Sequence, residues 1–101
     1  MSGIARTEEQ APGVRSDPDV ETITLPPYRL MLHNDEVNSM DHVVAALLRC
    51  VPELPPEEAV RIMLAAHSDG VALVLVCPLE RAELYRDRLE QQGLTATIER
   101  G

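Results

Sequence analysis

The spacing of the apolar residues changes between residues 33 and 40, and this change constrains the fold more than any other feature of the chain. Before it, apolar residues at alternate positions give one face of an extended segment, which is typical of a strand. These residues are Tyr28, Leu30 and Leu32. After it, the apolar residues follow the spacing of an amphipathic helix. These residues are Met40, Val43, Val44, Leu47, Leu48 and Val51. The sequence therefore predicts a strand and a helix joined by a short turn, with Asn38 or Ser39 as the N-cap and Pro52 after the last turn.

The rest of the chain contains signals for two more helices and two more strands. Prolines and acids at residues 54–58 suit the first turn of a second helix, and Gly70 suits its end. Its apolar stripe is expected to contain Val60, Met63, Leu64 and His67, with Ala59 and Ala66 alongside. Residues 71–77 are all apolar, which favours a strand that is either central or buried on both faces. A third helix is predicted over residues 79–92, and alternation over residues 94–99 predicts a last strand. The inward residues of the third helix are expected to be Ala82, Tyr85 and Leu89.

These elements follow one another in the order βααβαβ. Strands joined through a crossover helix run parallel to each other, so the first strand can lie between the other two. We therefore predict an α+β fold in which three helices pack on one face of a three-stranded antiparallel sheet. We assign this domain to residues 26–101. Residues 1–25 show no apolar period and are expected to form a disordered N-terminal extension, which ends at the stiff Pro26-Pro27 pair.

The composition limits both the core and the partners. The chain contains no Phe or Trp, so we expect an aliphatic core and no stacking platform for single-stranded nucleic acid. The net charge of -8 also argues against phosphate backbones as partners. Cys50 and Cys77 are flanked by apolar residues, which favours buried free thiols in a reducing cytosol over a disulfide. No signal peptide, transmembrane run or lipidation motif is visible, so we expect a soluble cytoplasmic protein without a membrane partner.

The turn before the first helix carries more hydrogen-bond acceptors than one helix cap uses. They belong to Asn34, Asp35, Glu36 and Asn38. These residue types are usual in turns and caps, so capping alone is one interpretation. The other is that the surplus acceptors bind a cation such as a primary ammonium, which has three N–H donors. His67 presents the same choice, because it is either a core or boundary residue of the second helix or an acceptor for such a ligand.

The sequence shows no pattern of a metal site or an activated nucleophile. Its three histidines and two cysteines lack the short spacing of zinc ligands, and no glycine-framed nucleophile is present. Asp35 and Glu36 could act as an acid and a base, but a domain of this size has little room for an enclosed substrate cleft. We therefore expect no metal, no cofactor and no enzymatic activity.

Four segments of the chain together resemble the ClpS adaptor family. They are Tyr-Arg-Leu-Met-Leu-His-Asn-Asp-Glu at residues 28–36, Met-Asp-His-Val-Val at residues 40–44, Arg-Ile-Met-Leu-Ala-Ala-His at residues 61–67, and Gly70. The similarity extends from about residue 28 to residue 99 and implies the βααβαβ fold. ClpS-like proteins are not enzymes. They bind proteins that carry a large hydrophobic first residue, called N-degrons, and hand them to a Clp-family AAA+ unfoldase–protease, which implies a ClpA- or ClpC-type partner here.

The resemblance also implies the residues of the site. Those expected around the α-amino group of the substrate are Asn34, Asp35, Glu36 and His67. Those expected to line a hydrophobic pocket for the first side chain are Leu32, Asn38, Met40, Val43, Met63, Ala66 and Leu94. Those expected to contact the unfoldase are Glu80 and Glu83.

The chain departs from the family pattern at several of these places. Glu36 stands where Asp is frequent, and Ala66 is smaller than the usual valine. Asn38-Ser39 replaces a Thr-Pro pair, and Tyr85 stands where many members have lysine. The departures bear on side-chain preference and on the partner contact more than on the α-amino site. The alternative interpretation is a small α+β interaction module of ribosomal-stalk-like topology, which would use an exposed helix face and need no pocket.

Overall fold

The computed structural model describes residues 27–101, so the extension predicted over residues 1–25 lies outside the described residues. Six elements follow one another in this part of the chain. They are β1 (Tyr28–His33), α1 (Met40–Cys50), α2 (Pro56–Asp69), β2 (Val71–Cys77), α3 (Leu79–Gln91) and β3 (Thr95–Arg100). The predicted order βααβαβ is confirmed.

β1 lies at the centre of the sheet. β2 and β3 flank it, and both run antiparallel to it. His33, the last residue of β1, pairs with Val71 on one side and with Thr95 on the other. Because α2 and α3 end just before β2 and β3 begin, the C-termini of both helices reach the same edge of the sheet as the end of β1.

The helices cover one face of the sheet, as predicted. α2 and α3 pack on the strands, and α1 packs against α2 and α3. The core between them is largely aliphatic, and its largest fully buried side chains are Leu30, Leu32, Leu47, Ile62, Leu89 and Val51. The predicted inward residues of α3 are buried, and they are Ala82, Tyr85 and Leu89.

Cys50 and Cys77 are buried free thiols, as the sequence predicts. They end α1 and β2, respectively. Burial raises the pKa of each thiol, and the neutral thiol is the unreactive form. Both cysteines therefore act as small apolar core residues.

The prediction of a strand over residues 71–77 that is central or buried on both faces is wrong. β2 is an edge strand, and its residues alternate between buried and exposed. Ala72, Val74 and Cys77 face the helices, whereas Val71, Leu73 and Val76 are exposed on the other face. The physical reason is that helices cover only one face of this sheet. An uninterrupted apolar run does not reveal which face is covered.

The predicted apolar stripes of α1 and α2 differ from the faces that the fold buries. On α2 the buried residues are Ala59, Ile62, Met63 and Ala66. The predicted Val60, Leu64 and His67 are exposed. On α1 the buried residues are Ala46, Leu47 and Cys50, and the predicted Met40 and Leu48 are exposed. Small residues occupy part of both buried faces, where they let neighbouring elements approach closely. The predicted stripes include the buried Ala59, Met63 and Ala66 but not Ile62 or Ala46.

Candidate functional site

The ends of several helices and strands meet at the edge of the sheet where β1 ends and α1 begins. The backbone N–H of Asn34 donates to the Gly70 carbonyl at 2.9 Å, which joins the end of β1 to the end of α2. Gly70 has a φ of 89°, a left-handed conformation that costs glycine little, and its own N–H closes α2 on the carbonyl of Ala66. This arrangement brings Asn34 beside the last turn of α2, which carries His67.

A cavity of about 330 Å³ opens at this edge. Its lining contains every residue that the resemblance implies for the amino group and for the first side chain. They are Asn34, Asp35, Glu36, His67, Leu32, Asn38, Met40, Val43, Met63, Ala66 and Leu94. The fold therefore brings together residues from the first turn, both of the following helices and the segment before β3. Their roles in binding stay a prediction.

Exposure divides the lining into a polar mouth and an apolar floor. Leu32 is 2% exposed, Ala66 3%, and Leu94 5%. Asn34, Glu36 and His67 are exposed, and Asp35 is half-buried. Met40 also lines the cavity and is 45% exposed, which indicates a position at the rim. A ligand that fits this gradient has a polar, hydrogen-donating end and an apolar end.

Part of the acceptor surplus in the turn is used by the turn itself. Ser39 is the N-cap of α1, and its hydroxyl accepts a hydrogen bond from the His42 N–H at 3.1 Å. The carboxylate of Asp35 accepts from the Val37 N–H at 2.9 Å and from Asn38 Nδ2 at 3.2 Å. Each Asp35 oxygen thus makes one hydrogen bond within the turn, and each keeps a lone pair for another donor.

The other predicted acceptors face the cavity mouth. Within the part of the chain that the structure describes, the side chains of Asn34, Glu36 and His67 make no hydrogen bond to protein groups. The lining contains two carboxylates and no Arg or Lys. The C-terminus of α2 adds the partial negative charge of the helix dipole beside His67. The mouth is therefore suited to a small cation with several N–H donors.

His33 and Ser39 also line the cavity, although neither is among the predicted site residues. His33 Nε2 lies 2.7 Å from Thr97 Oγ1, so the ring is held toward β3. Their place in the lining could have been predicted from the sequence, because the two residues flank the segment from Asn34 to Asn38. His33 ends β1 and Ser39 caps α1, and these structural roles alone explain both residues in the sequence.

The predicted unfoldase contacts lie near the other end of α3. Glu80 and Glu83 are exposed in its first turns. Glu80 lines a shallow surface depression with Pro78, Arg81, Leu84 and Tyr85, whereas Glu83 lies outside it. At a rise of about 1.5 Å per residue, Glu80 and Glu83 lie about 12–17 Å from the C-terminal end of α3, which is the end nearer the cavity.

Residues 27–101 contain neither a cluster of metal ligands nor a membrane-spanning helix. No group of three or more His, Cys, Asp and Glu side chains there is arranged to hold a metal ion. Among the same residues, no helix has the length and apolar character needed to span a bilayer.

The fold and the cavity together define a small α+β domain with an amphipathic pocket. Comparison with known proteins gives this domain a family. A family model described as "ATP-dependent Clp protease adaptor protein ClpS" matches residues 24–97. The chain belongs to the ClpS family, which decides against the stalk-like alternative.

Individual relatives agree with this assignment. The ATP-dependent Clp protease adapter protein ClpS of Prochlorococcus marinus is 48% identical over 75 residues, which cover 74% of this chain and 71% of that protein. The chloroplastic ATP-dependent Clp protease adapter protein CLPS1 of Chlamydomonas reinhardtii is 46% identical over 101 residues, which cover all of this chain and 60% of that protein. The solved structure of Agrobacterium tumefaciens ClpS2 bound to L-phenylalaninamide superposes with a TM-score of 0.72 and 26% identity, covering 76% of this chain and 99% of that one.

Proposed function

We propose that this protein binds polypeptides through a free N-terminal residue with a large hydrophobic side chain and delivers them to a Clp-family AAA+ unfoldase–protease. In this proposal it is an adaptor with no catalytic activity of its own, and its partner is of ClpA or ClpC type. Nucleic acid and membranes are not partners. The place of action in this proposal is the cytoplasm, because two buried free thiols suit a reducing compartment.

The observation that carries the proposal is the gradient across the cavity. An N-terminal residue is a primary ammonium attached to the same carbon as a side chain. Asn34, Asp35, Glu36 and His67 would accept hydrogen bonds from the ammonium at the mouth, while the aliphatic floor would surround the side chain. The volume of about 330 Å³ is at the small end of ligand pockets, which span about 300–1,000 Å³. One residue fits this space better than an extended segment.

The solved relative supports this choice of ligand class. Its printed ligand, L-phenylalaninamide, has a free α-amino group, a benzyl side chain and a neutral amide in place of a carboxylate. It is therefore chemically the first residue of a polypeptide. The same two chemical ends match the polar mouth and the apolar floor of the cavity in this chain.

The expected affinity is of micromolar order. Hydrogen bonds that involve a charged group contribute about 1.5–3 kcal/mol each, and burial of a Leu- or Phe-sized side chain contributes about 1.5–3 kcal/mol more. Three such bonds with one buried side chain total about 6–12 kcal/mol before the entropy cost of association, a range that includes the roughly 8 kcal/mol of micromolar binding.

The proposal is tested by titrating three peptides that differ only at the first residue. They begin with free Phe, acetylated Phe and free Ser. Acetylation removes the charge and two N–H donors, so we expect the acetylated Phe peptide to bind at least about tenfold more weakly than the free one, or by about 1.4 kcal/mol. Ser should bind as weakly, because it leaves the floor empty. Equal binding of all three peptides would overturn the proposal.

A pair of variants assigns the effect to the cavity. Asp35→Asn removes a carboxylate from the mouth and should weaken binding of the free Phe peptide. Asp41→Asn is the matched control, because Asp41 is exposed in the first turn of α1 and does not line the cavity. Equal losses in both variants would indicate only a general charge effect.

A further inference from the structure

Asn38 uses both of its amide N–H groups inside the site. Its Nδ2 lies 3.2 Å from Asp35 Oδ2 and 2.9 Å from the carbonyl oxygen of Gly93. Both partners are acceptors, so only the orientation with Nδ2 toward them makes hydrogen bonds. The amide of Asn38 therefore links the acidic turn to the connection between α3 and β3.

These two hydrogen bonds fix two opposite parts of the cavity. Asp35 is at the mouth, and Gly93 directly precedes Leu94 on the floor. The other Asp35 oxygen is held by the Val37 N–H at 2.9 Å. With one bond on each oxygen, the carboxylate is restrained in rotation, and its remaining lone pairs keep a fixed direction.

We infer that Asn38 is a positioning residue for recognition of the α-ammonium. It orients the Asp35 carboxylate toward the bound amino group and sets the distance between that carboxylate and the Leu94 wall. This inference rests on the proposed function. The threonine of the family pattern has one hydroxyl proton and can donate only one of these bonds at a time. The double link is therefore a feature of asparagine at this position.

Other contacts also tie α1 to the same connection, and they provide a control. His42 Nε2 lies 2.7 Å from the Gln92 carbonyl oxygen, and Arg49 donates to Gln92 Oε1 at 2.6 Å. Neither contact includes Asp35. Gln92→Ala therefore removes a link between α1 and the α3–β3 connection without touching the carboxylate.

The test is a double-mutant cycle of Asn38→Ala and Asp35→Asn, with free and acetylated Phe peptides as probes. We expect Asn38→Ala to reduce the affinity for the free peptide about tenfold and the preference for free over acetylated peptide by a similar factor. With Asn already at position 35, the same change should reduce affinity less than about twofold, because the carboxylate that it orients is gone. Gln92→Ala should leave the preference unchanged.

The outcomes separate the inference from the function on which it rests. If the unaltered protein prefers the free peptide and Asn38→Ala keeps that preference, the inference is wrong and the proposed function stands. If the unaltered protein shows no preference, both fail. An equal loss for Asn38→Ala with either residue at position 35 assigns Asn38 a purely structural role and also overturns the inference.

A second variant covers the case in which Asn38→Ala does not fold. Asn38→Thr keeps one donor and the family residue type. It should fold, as judged by circular dichroism, and show a preference for the free peptide between those of the unaltered protein and of Asp35→Asn. A preference equal to that of the unaltered protein would contradict the inference.

Discussion

The phenol of Tyr85 donates a hydrogen bond of 2.6 Å to the carboxylate of Glu53. Arg81 donates to the other carboxylate oxygen at 3.3 Å. The bond from Tyr85 holds the pKa of Glu53 below its usual value, while burial and then this same bond raise the pKa of Tyr85. Because Glu53 lies between α1 and α2, the pair fastens their connection to α3.

We expect Tyr85→Phe to lower the free energy of unfolding by about 1 kcal/mol near neutral pH, a value reduced because the Glu53 side chain is 40% exposed. The lowered pKa of Glu53 contributes stability that is present above the unfolded carboxyl pKa and lost as the pH falls through the folded value. The raised pKa of Tyr85 contributes stability that is present below the unfolded phenol pKa and lost as the pH rises through the folded value. Urea unfolding should therefore show the largest difference in the free energy of unfolding between the unaltered protein and Tyr85→Phe at about pH 5 to 9.

The control for this prediction is Tyr28→Phe. Tyr28 is the other tyrosine of the chain and lies at the start of β1. The change in the free energy of unfolding caused by Tyr28→Phe should not vary with pH as Glu53 titrates. A Tyr85→Phe difference that stays constant from pH 3 to pH 7 would contradict the prediction.

The order of the elements could be predicted because each signal is local. Ser39 caps α1 three residues before the N–H that it accepts, and Gly70 ends α2 by adopting a positive φ. The buried faces could not be predicted in the same way. Whether Ile62 or Val60 turns inward depends on where the sheet and α1 lie, and this information is not contained in the spacing within α2.

The candidate site shows the same division between local and distant information. The acceptor surplus of the turn is visible in the sequence, and His67 is a candidate acceptor there, but only the resemblance favours binding over capping and core roles. In the fold, the hydrogen bond from the Asn34 N–H to the Gly70 carbonyl brings the turn beside the last turn of α2, which carries His67. The two hydrogen bonds of the Asn38 amide could not be predicted, because one of the acceptors, the Gly93 carbonyl, is 55 residues away in the sequence.

Replacing Met40 by Ala should relax the selectivity for the first residue. Met40 is at the rim of the cavity, where a second substituent on the Cβ of Val or Ile would meet its side chain. We expect the affinity for an Ile-first peptide to rise about tenfold, or about 1.4 kcal/mol, with little change for Phe-first. The measurement is a pair of peptide titrations.

Leu48→Ala is the matched control for Met40→Ala. It also removes an exposed apolar side chain from α1, at 36% exposure, and it does not line the cavity. Its selectivity should equal that of the unaltered protein. If Ile-first peptides bind Met40→Ala no better than the parent, Met40 does not gate the pocket.

Ala66→Val should narrow the floor of the cavity. Ala66 is 3% exposed and lines the floor, so two added methyl groups enter the space for the ligand side chain. We expect affinity for Trp-first and Tyr-first peptides to fall several-fold more than affinity for Leu-first peptides, since overpacking costs about 1–3 kcal/mol. Ala65→Val introduces the same β-branched residue one position earlier, outside the lining, and should leave the order of preference unchanged.

Neutralising Glu80 and Glu83 should separate delivery from binding. Both are exposed on the first turns of α3, at the end away from the cavity, so the double change to Gln should leave peptide affinity intact. Exposed ion pairs contribute about 0.2–1 kcal/mol each, so losing two should weaken adaptor–unfoldase binding about two- to thirtyfold, most strongly at low salt. Glu90→Gln, on the last turns of the same helix, is the control and should deliver normally. The two readouts are peptide titration and degradation of an N-degron substrate by the cognate unfoldase–protease. Undiminished degradation with the double variant would show that this surface is not the unfoldase contact, whereas a matching loss of peptide affinity would mean that the change reaches the cavity.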